Sequence, residues 1–320
     1  MINKILPLFL FLHFSLFVIS CSSENSQVNK DAIGMENLAG LDFTQSERDT
    51  LLPGLKVFKG KYDTLRTVAL NNSVPVPLYF NPRLPGQTLP TGKDSYRFQE
   101  FPTKRPQNIE DCAFYTIGQL AHLIRTKQVT SLELTTMYLE RLKRHGPTLE
   151  CVVTLTEELA LKQARRADKN IKAGRYLGPL HGIPYGAKDL LAVPGYKTTW
   201  GAMTHKDQVL DETATVVQKL EDAGAVLVAK LTLGALAWGD VWYGGKTRNP
   251  WNTEQGSSGS SAGPGSATAA GLVAFAIGSE TWGSIVSPAT RNGVTGLRPT
   301  FGTVSKTGAM ALAWSMDKLG

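Results

Sequence analysis

Cysteine and histidine are both scarce in this chain of 320 residues, which has three of the first and five of the second. Three cysteines cannot make the dense disulfide framework of a small secreted scaffold, and no histidine or cysteine set has metal-ligand spacing. The last histidine is His205. That excludes a serine nucleophile elbow at Gly259-Ser-Ser261-Ala-Gly263, because in that fold the histidine base follows the serine. Gly245-Lys246-Thr247 approaches a phosphate-binding loop, but Asp240 stands where its first glycine must fall. The formal charge of +7 and the pI near 9.2 come from scattered lysines and arginines, and no basic run is interleaved with aromatics. Nucleic acid is therefore excluded as the expected partner. No internal repeat is present, and the longest N-terminal apolar run, Ile5 to Ile19, carries Pro7 and is too short to span a bilayer as a helix.

That run follows Lys4 and reads as a signal peptide over residues 1–20. The junction Val18-Ile19-Ser20-Cys21 resembles a bacterial lipobox, so Cys21 is the expected lipidation site and Ser22 to Lys30 a polar tether. The mature chain is accordingly expected in the bacterial cell envelope, exported and held to the membrane by lipid. Cys112 and Cys151 are expected to be two buried free thiols, since a hydrophobic fraction of 42% supplies a core large enough to do without a disulfide.

Residues 21–110 read as tether and extension, and residues 111–320 as the main domain. Within the extension, Thr44 to Leu52 and Tyr62 to Leu70 are candidate helices, with Pro53-Gly54 keeping them apart. Capping boxes at Thr116/Gln119 and Thr130/Glu133 open two helices, the second expected to stop at Gly146-Pro147. A third runs from Glu157 to Ala173. Strand and helix then alternate: Tyr185 to Leu191, Thr213 to Ala223, Ala225 to Lys230, a close-packing helix over Ser266 to Gly271, and a central strand over Leu272 to Ile277. This order indicates α/β layers.

Three segments concentrate small and polar residues: Gly182-Ile-Pro-Tyr-Gly-Ala-Lys188-Asp189, Gly256-Ser-Ser-Gly-Ser260-Ser261-Ala-Gly263 and Gly278-Ser-Glu-Thr-Trp-Gly-Ser284-Ile-Val-Ser-Pro288. Together with Arg248-Asn-Pro-Trp251 and Gly293-Val-Thr-Gly-Leu-Arg-Pro299, they resemble the amidase signature family from about Thr116 to Gly320. The resemblance implies an α/β fold with a large, mixed, twisted sheet flanked by helices on both faces, which this chain would leave incomplete at its C-terminus. It also implies amide hydrolysis without a cofactor, on a small or medium amide. Ser284 would be the nucleophile, Ser260 the bridging hydroxyl after a cis peptide from Gly259, Lys188 the base and Ser261 a support. The chemistry of the residues agrees: a serine needs a base, and a lysine in an apolar strand loses its proton more readily than one in water. Successive N–H groups from Thr281, Trp282, Gly283 and Ser284 can converge on a developing oxyanion.

The chain departs from the family where many relatives have Asp-x-Gly-Gly-Ser-Ile-Arg. It has Glu280, Trp282 and Val286 at the acid, the first glycine and the arginine. Trp282 is expected to narrow the pocket, with Trp238, Trp242 and Tyr243 as further lining candidates. Two other functions stay open: an amidotransferase A-type subunit if the chain is cytosolic, and a catalytically inactive lipoprotein if the shortened domain cannot complete its pocket. Oligomeric state is not legible.

Overall fold

The computed structural model describes residues 27–69, 92, 99 and 101–320, so the expected leader and Cys21 lie outside the described residues. Two compact units divide between residues 77 and 78.

In the first unit, helical residues 27–39 (α1) are joined to Gln45–Arg66 (α2) by an ion pair of 2.9 Å between Glu36 and Arg48. Thr44 and Glu47 form a capping box at the start of α2. The expected break at Pro53-Gly54 does not occur, and α2 runs through Pro53. Proline leaves the Asp49 carbonyl without its helical donor, but α2 buries no residue, so water can take that carbonyl. The expected helix end at Leu70 lies outside the described residues, and α2 ends at Arg66.

The second unit begins its regular structure with a 3₁₀ turn, Ile109–Phe114, followed by α3 (Ile117–Arg125) and α4 (Ser131–Leu149). Both expected capping boxes are formed. Contrary to expectation, α4 passes Gly146 and Pro147 and ends one turn later, where Glu150 takes a left-handed conformation. Then come β1 (Val152–Leu155), α5 (Glu157–Lys172), β2 (Pro184–Lys188), α6 (Thr215–Asp222) and β3 (Val226–Leu231). Two short hairpins, β4 (Val241–Trp242) with β5 (Gly245–Lys246) and β6 (Arg248–Asn249) with β7 (Asn252–Gly256), precede α7 (Ala262–Ala269). The chain closes with β8 (Phe275–Ile277), β9 (Ser279–Glu280), α8 (Val286–Asn292) and β10 (Lys318–Leu319).

Four of these strands form a mixed sheet in the order β1-β3-β2-β8, with β1 antiparallel to β3 and the other pairs parallel. The segment expected as a central strand therefore supplies an edge, β8. It is shorter than expected because residues 272–274 are spent turning out of α7.

Alternation along the strands sorts the core. Val226 and Val228 of β3 pack with Leu139 and Leu142 of α4, Ala160 and Ala164 of α5, and Ala267 of α7. Leu227, with Tyr185 and Ala187 of β2, packs on the other face with Val217 and Leu220 of α6. The even-numbered residues of β2 thus point toward the face that carries α7. The residues just before α7 are Ser260 and Ser261, and Lys188 belongs to that even-numbered set. This parity is what makes the lysine and the serines meet.

Both described cysteines, Cys112 and Cys151, are buried free thiols, as expected. Among the described residues no helix is long and apolar enough to cross a membrane, and no group of histidine, cysteine and carboxylate side chains could hold a metal ion.

Candidate active site

Lys188 ends β2 with no exposed surface, and its ammonium position is bounded by four oxygens. Nζ lies 2.8 Å from Ser260 Oγ, 3.1 Å from Ser261 Oγ, 2.8 Å from Ser279 Oγ and 3.3 Å from the Ser279 carbonyl. None of these partners is charged. Burial in this setting pulls the lysine down to about 7 from its ordinary 10.5, while the more distant carboxylates of Asp317 and Glu280 act the other way.

The hydroxyl network has a defined direction. Ser261 Oγ donates to the Ser279 carbonyl at 3.0 Å and accepts the Ser279 N–H at 3.1 Å. A neutral Lys188 has two N–H groups and one lone pair. Ser261 and Ser279 can receive the two N–H groups, which leaves the lone pair facing the Ser260 hydroxyl.

The Gly259–Ser260 peptide bond is cis, as expected. Gly259 admits no side chain: a Cβ there would stand 1.8 Å from the Gly239 carbonyl oxygen. Gly263, in the first turn of α7, is equally constrained, since a Cβ would meet the Thr232 amide nitrogen at 2.4 Å. The expectation of a small-residue helix at close backbone approach is met, with the helix beginning earlier, at Ala262. Asn292 at the end of α8 holds the serine loop by donating to the Ser257 carbonyl at 2.9 Å and to the Pro288 carbonyl at 2.7 Å. The Arg248-Asn-Pro-Trp251 segment braces the same helix end. Asn249 donates to the Arg291 carbonyl and the Trp251 indole to the Asn292 carbonyl.

Ser284 lies on the turn between β9 and α8, and its carbonyl accepts the Ser261 N–H at 3.0 Å, which ties the two serine loops together. Ser260, Ser279, Thr281 and Ser284 line one small cavity of about 20 Å³, room for a single water molecule. No hydrogen bond joins the Ser260 and Ser284 hydroxyls, and among the described residues the N–H groups of Trp282, Gly283 and Ser284 have no protein acceptor. Glu280 closes the turn from beneath. Its Oε2 accepts the N–H groups of Ile285 (2.8 Å) and Val286 (3.0 Å), and Oε1 accepts from Arg298 at 3.1 Å.

On the outer side, Ser284 opens into a groove of about 820 Å³. Trp238 and Trp282 both line it, as expected. Trp242 and Tyr243 do not: their rings pack edge-on against each other at 4.8 Å, away from the groove. Sequence reasoning also passed over Ser279 and Asp317. Ser279 stands inside one of the three segments and Asp317 beyond them, and nothing in spacing alone says that Ser279 would reach Lys188 or that Asp317 would reach Thr281.

An α/β sheet that presents a buried lysine to a pair of loop serines defines a hydroxyl-and-amine centre. The chain belongs to the Amidase family, whose model matches residues 133–320. It is similar to the glutamyl-tRNA(Gln) amidotransferase A-type subunit of Azoarcus sp. (strain BH72), 42% identical over 208 residues, which are 64% of this chain and 42% of that protein. Among solved structures it resembles the native peptide amidase of Stenotrophomonas maltophilia, with 38% identity and a TM-score of 0.62 over 66% of this chain and 45% of that one. A fatty acid amide hydrolase is also similar, at 28% identity and a TM-score of 0.60, covering 63% and 36% of the two chains. The chain spans less than half the length of these relatives.

Proposed function

We propose that this chain carries the acyl-transfer centre of an amide hydrolase, with Ser284 as nucleophile, Ser260 as relay and Lys188 as base. The observation that carries the reading is Lys188: a fully buried lysine whose contacts are all neutral oxygens, one of them the hydroxyl after the cis peptide bond. As Ser284 Oγ attacks the amide carbon, its proton passes to Ser260 Oγ while the Ser260 proton passes to Lys188 Nζ. The two hydroxyls line one small cavity, and the proposed transfer requires them to come within hydrogen-bond distance of each other. The unpaired N–H groups of Trp282, Gly283 and Ser284, with that of Thr281 beside them, receive the developing oxyanion. Collapse of the tetrahedral intermediate breaks the carbon–nitrogen bond, and the proton held by Lys188 returns through Ser260 to the leaving nitrogen. Water then repeats the sequence on the acyl-enzyme. Ser261 supports the centre by holding one Lys188 N–H and the backbone of Ser279.

Export and lipidation at Cys21 belong to the same proposal and would place this centre in the cell envelope. The names of the curated relatives favour a second reading, in which the chain is part of an amidotransferase. A fluorophosphonate probe and peptide mapping test the centre: the expected label is on Ser284, and a label on Ser261 overturns the assignment. Mass analysis of the mature N-terminus separates the two readings, since a lipid-modified Cys21 supports the envelope hydrolase and an unmodified Met1 in the cytosol supports the amidotransferase.

A further inference from the structure

The strand pair β9/β10 does more than close a small sheet. Lys318 pairs with Glu280 and Leu319 with Ser279, and Gly278 and Gly320 exchange backbone hydrogen bonds at 2.8 and 3.3 Å. This register sets Asp317 against Thr281, the first residue of the Ser284 turn. Asp317 Oδ1 accepts the Thr281 hydroxyl at 2.7 Å, and the next residue, Lys318, donates Nζ to the Thr281 carbonyl at 2.7 Å. Thr281 is therefore held at its side chain and its carbonyl by two consecutive residues. Asp317 is itself held: it is buried, and its Oδ2 accepts the N–H groups of Leu312 and Ala313 at 2.8 and 2.9 Å. The carboxylate thus links the 312–313 loop to the turn that bears the nucleophile, and it lines the same small cavity as Ser260, Ser279 and Ser284.

We propose that Asp317 is a positioning residue for the acyl-transfer centre, fixing through Thr281 the turn whose N–H groups face the reacting carbonyl. This rests on the reading of Ser284 as nucleophile and adds to it a group outside the three catalytic residues. The geometry explains why a turn with unpaired N–H groups keeps one shape: its far end is closed by Glu280, and its near end is clamped by Asp317 and Lys318. Preorganised donors stabilise an oxyanion only if they do not have to move at the moment of reaction.

The charge of Asp317 has a second consequence. Around Lys188 stand neutral hydroxyls in contact and, further out, the carboxylates of Asp317 and Glu280. Glu280 is paired with Arg298, Lys318 is bound to Thr281, Lys306 lines the cavity, and Asp189 and Lys230 are paired with each other. Of the carboxylates, Asp317 acts most strongly to keep the lysine protonated. Asp317→Asn keeps size and part of the hydrogen bonding but removes that charge.

The experiment is the rate of Ser284 phosphonylation by a fluorophosphonate as a function of pH, in the full chain and three variants. Thr281→Val, which removes the gripped hydroxyl at equal size, is expected to slow labelling by about tenfold or more, short of the roughly 100-fold that outright loss of one oxyanion donor costs. Thr281→Ser is expected to restore it. Asp317→Asn is expected to move the rising limb of the pH profile toward acid, because a lysine freed of a nearby negative charge loses its proton sooner. Labelling of Thr281→Val at the wild-type rate, in protein shown to be folded, overturns the positioning role. A limb that stays in place in folded Asp317→Asn overturns the charge effect, and if that variant does not fold, the valine and serine variants decide the proposal. Wild-type protein that takes no label at Ser284 overturns the underlying hydrolase reading and this inference with it.

Discussion

Asp189 Oδ1 and Lys230 Nζ stand 2.8 Å apart with neither side chain exposed, one residue along the chain from Lys188. Each partner has further contacts. Asp189 Oδ2 accepts the N–H and the hydroxyl of Thr199 at 2.9 and 2.5 Å, and Lys230 donates to the Lys197 carbonyl and the Thr198 hydroxyl at 2.9 and 3.0 Å. Two buried lysines thus lie close in one sheet with different partners. Burial lowers the proton affinity of both, but Lys230 has a carboxylate in contact to oppose it and Lys188 has none. The first is built as a structural cation, the second as a base.

Breaking the structural pair on one side leaves the other charge buried and unpaired. Lys230→Met is expected to destabilise the fold by roughly 3 to 5 kcal/mol, in the range found for buried pairs that lose one partner. Equilibrium unfolding in urea measures it. Replacement of Asp189 and Lys230 together by apolar residues is expected to cost clearly less than Lys230→Met alone, and equal costs would show that the pair is not coupled.

Lys188 predicts a rise with pH in both activity and stability, each in its own window. As a base it must be neutral, so labelling of Ser284 is expected to rise through a pH near 7, the value to which burial lowers the lysine. Lys188→Arg is expected to lose at least about 100-fold, the lower end of what a positioned base contributes, because guanidinium keeps its proton near neutrality. The sign for folding follows from proton counts. Between pH 7 and 10.5 the unfolded chain holds a proton on Lys188 that the folded chain has lost, so stability rises with pH in that window by up to about 1.4 kcal/mol per unit. Below pH 7 both states are protonated and the burial cost is constant. Urea unfolding of wild type and Lys188→Met across this window is expected to show a smaller rise in the variant, since Lys230 is also depressed by burial and remains.

Much of this centre was legible in the chain because the residues that do the chemistry sit in short segments of unusual composition. Lys188, Ser260, Ser284 and the glycine at Gly259 were readable in that way, and so were the capping boxes at Thr116 and Thr130, where the signal is local. Contacts between distant segments were not. Asp317 reaches Thr281, and Ser279 reaches Lys188, through strand register that no periodicity reveals. Proline was over-read for a different reason: α2 and α4 both run through a proline, at Pro53 and Pro147, because the cost of a missing N–H depends on whether the orphaned carbonyl is exposed. Trp238 and Trp242 looked alike in sequence, yet only the first reached the groove.

Glu280 offers the sharpest test of a departure from the family pattern, since the resemblance drawn from the sequence implies aspartate at this position. The side chain has no exposed surface. Burial alone would raise its affinity for a proton, but the N–H groups of Val286 and Ile285 and the Arg298 guanidinium more than offset that, and the net effect is a lowered value. A depressed carboxylate stabilises the fold above its unfolded value and gives that stability up as pH falls below it. Glu280→Gln keeps one acceptor oxygen but loses the charge, and its new N–H₂ group would face either Arg298 or two backbone N–H groups. The expected cost is about 1 to 3 kcal/mol, the range for an unsatisfied buried polar group, with the acid-side loss of stability diminished in the same variant. Glu280→Asp separates charge from reach. One methylene shorter, the carboxylate keeps its charge but cannot span to Arg298 and to both N–H groups at 2.8 and 3.0 Å unless the turn moves inward, carrying Trp282, Gly283 and Ser284 with it. Slower fluorophosphonate labelling in a variant that unfolds at nearly the wild-type urea concentration is the expected result. Wild-type labelling in folded Glu280→Asp would show that the turn does not depend on the longer acid.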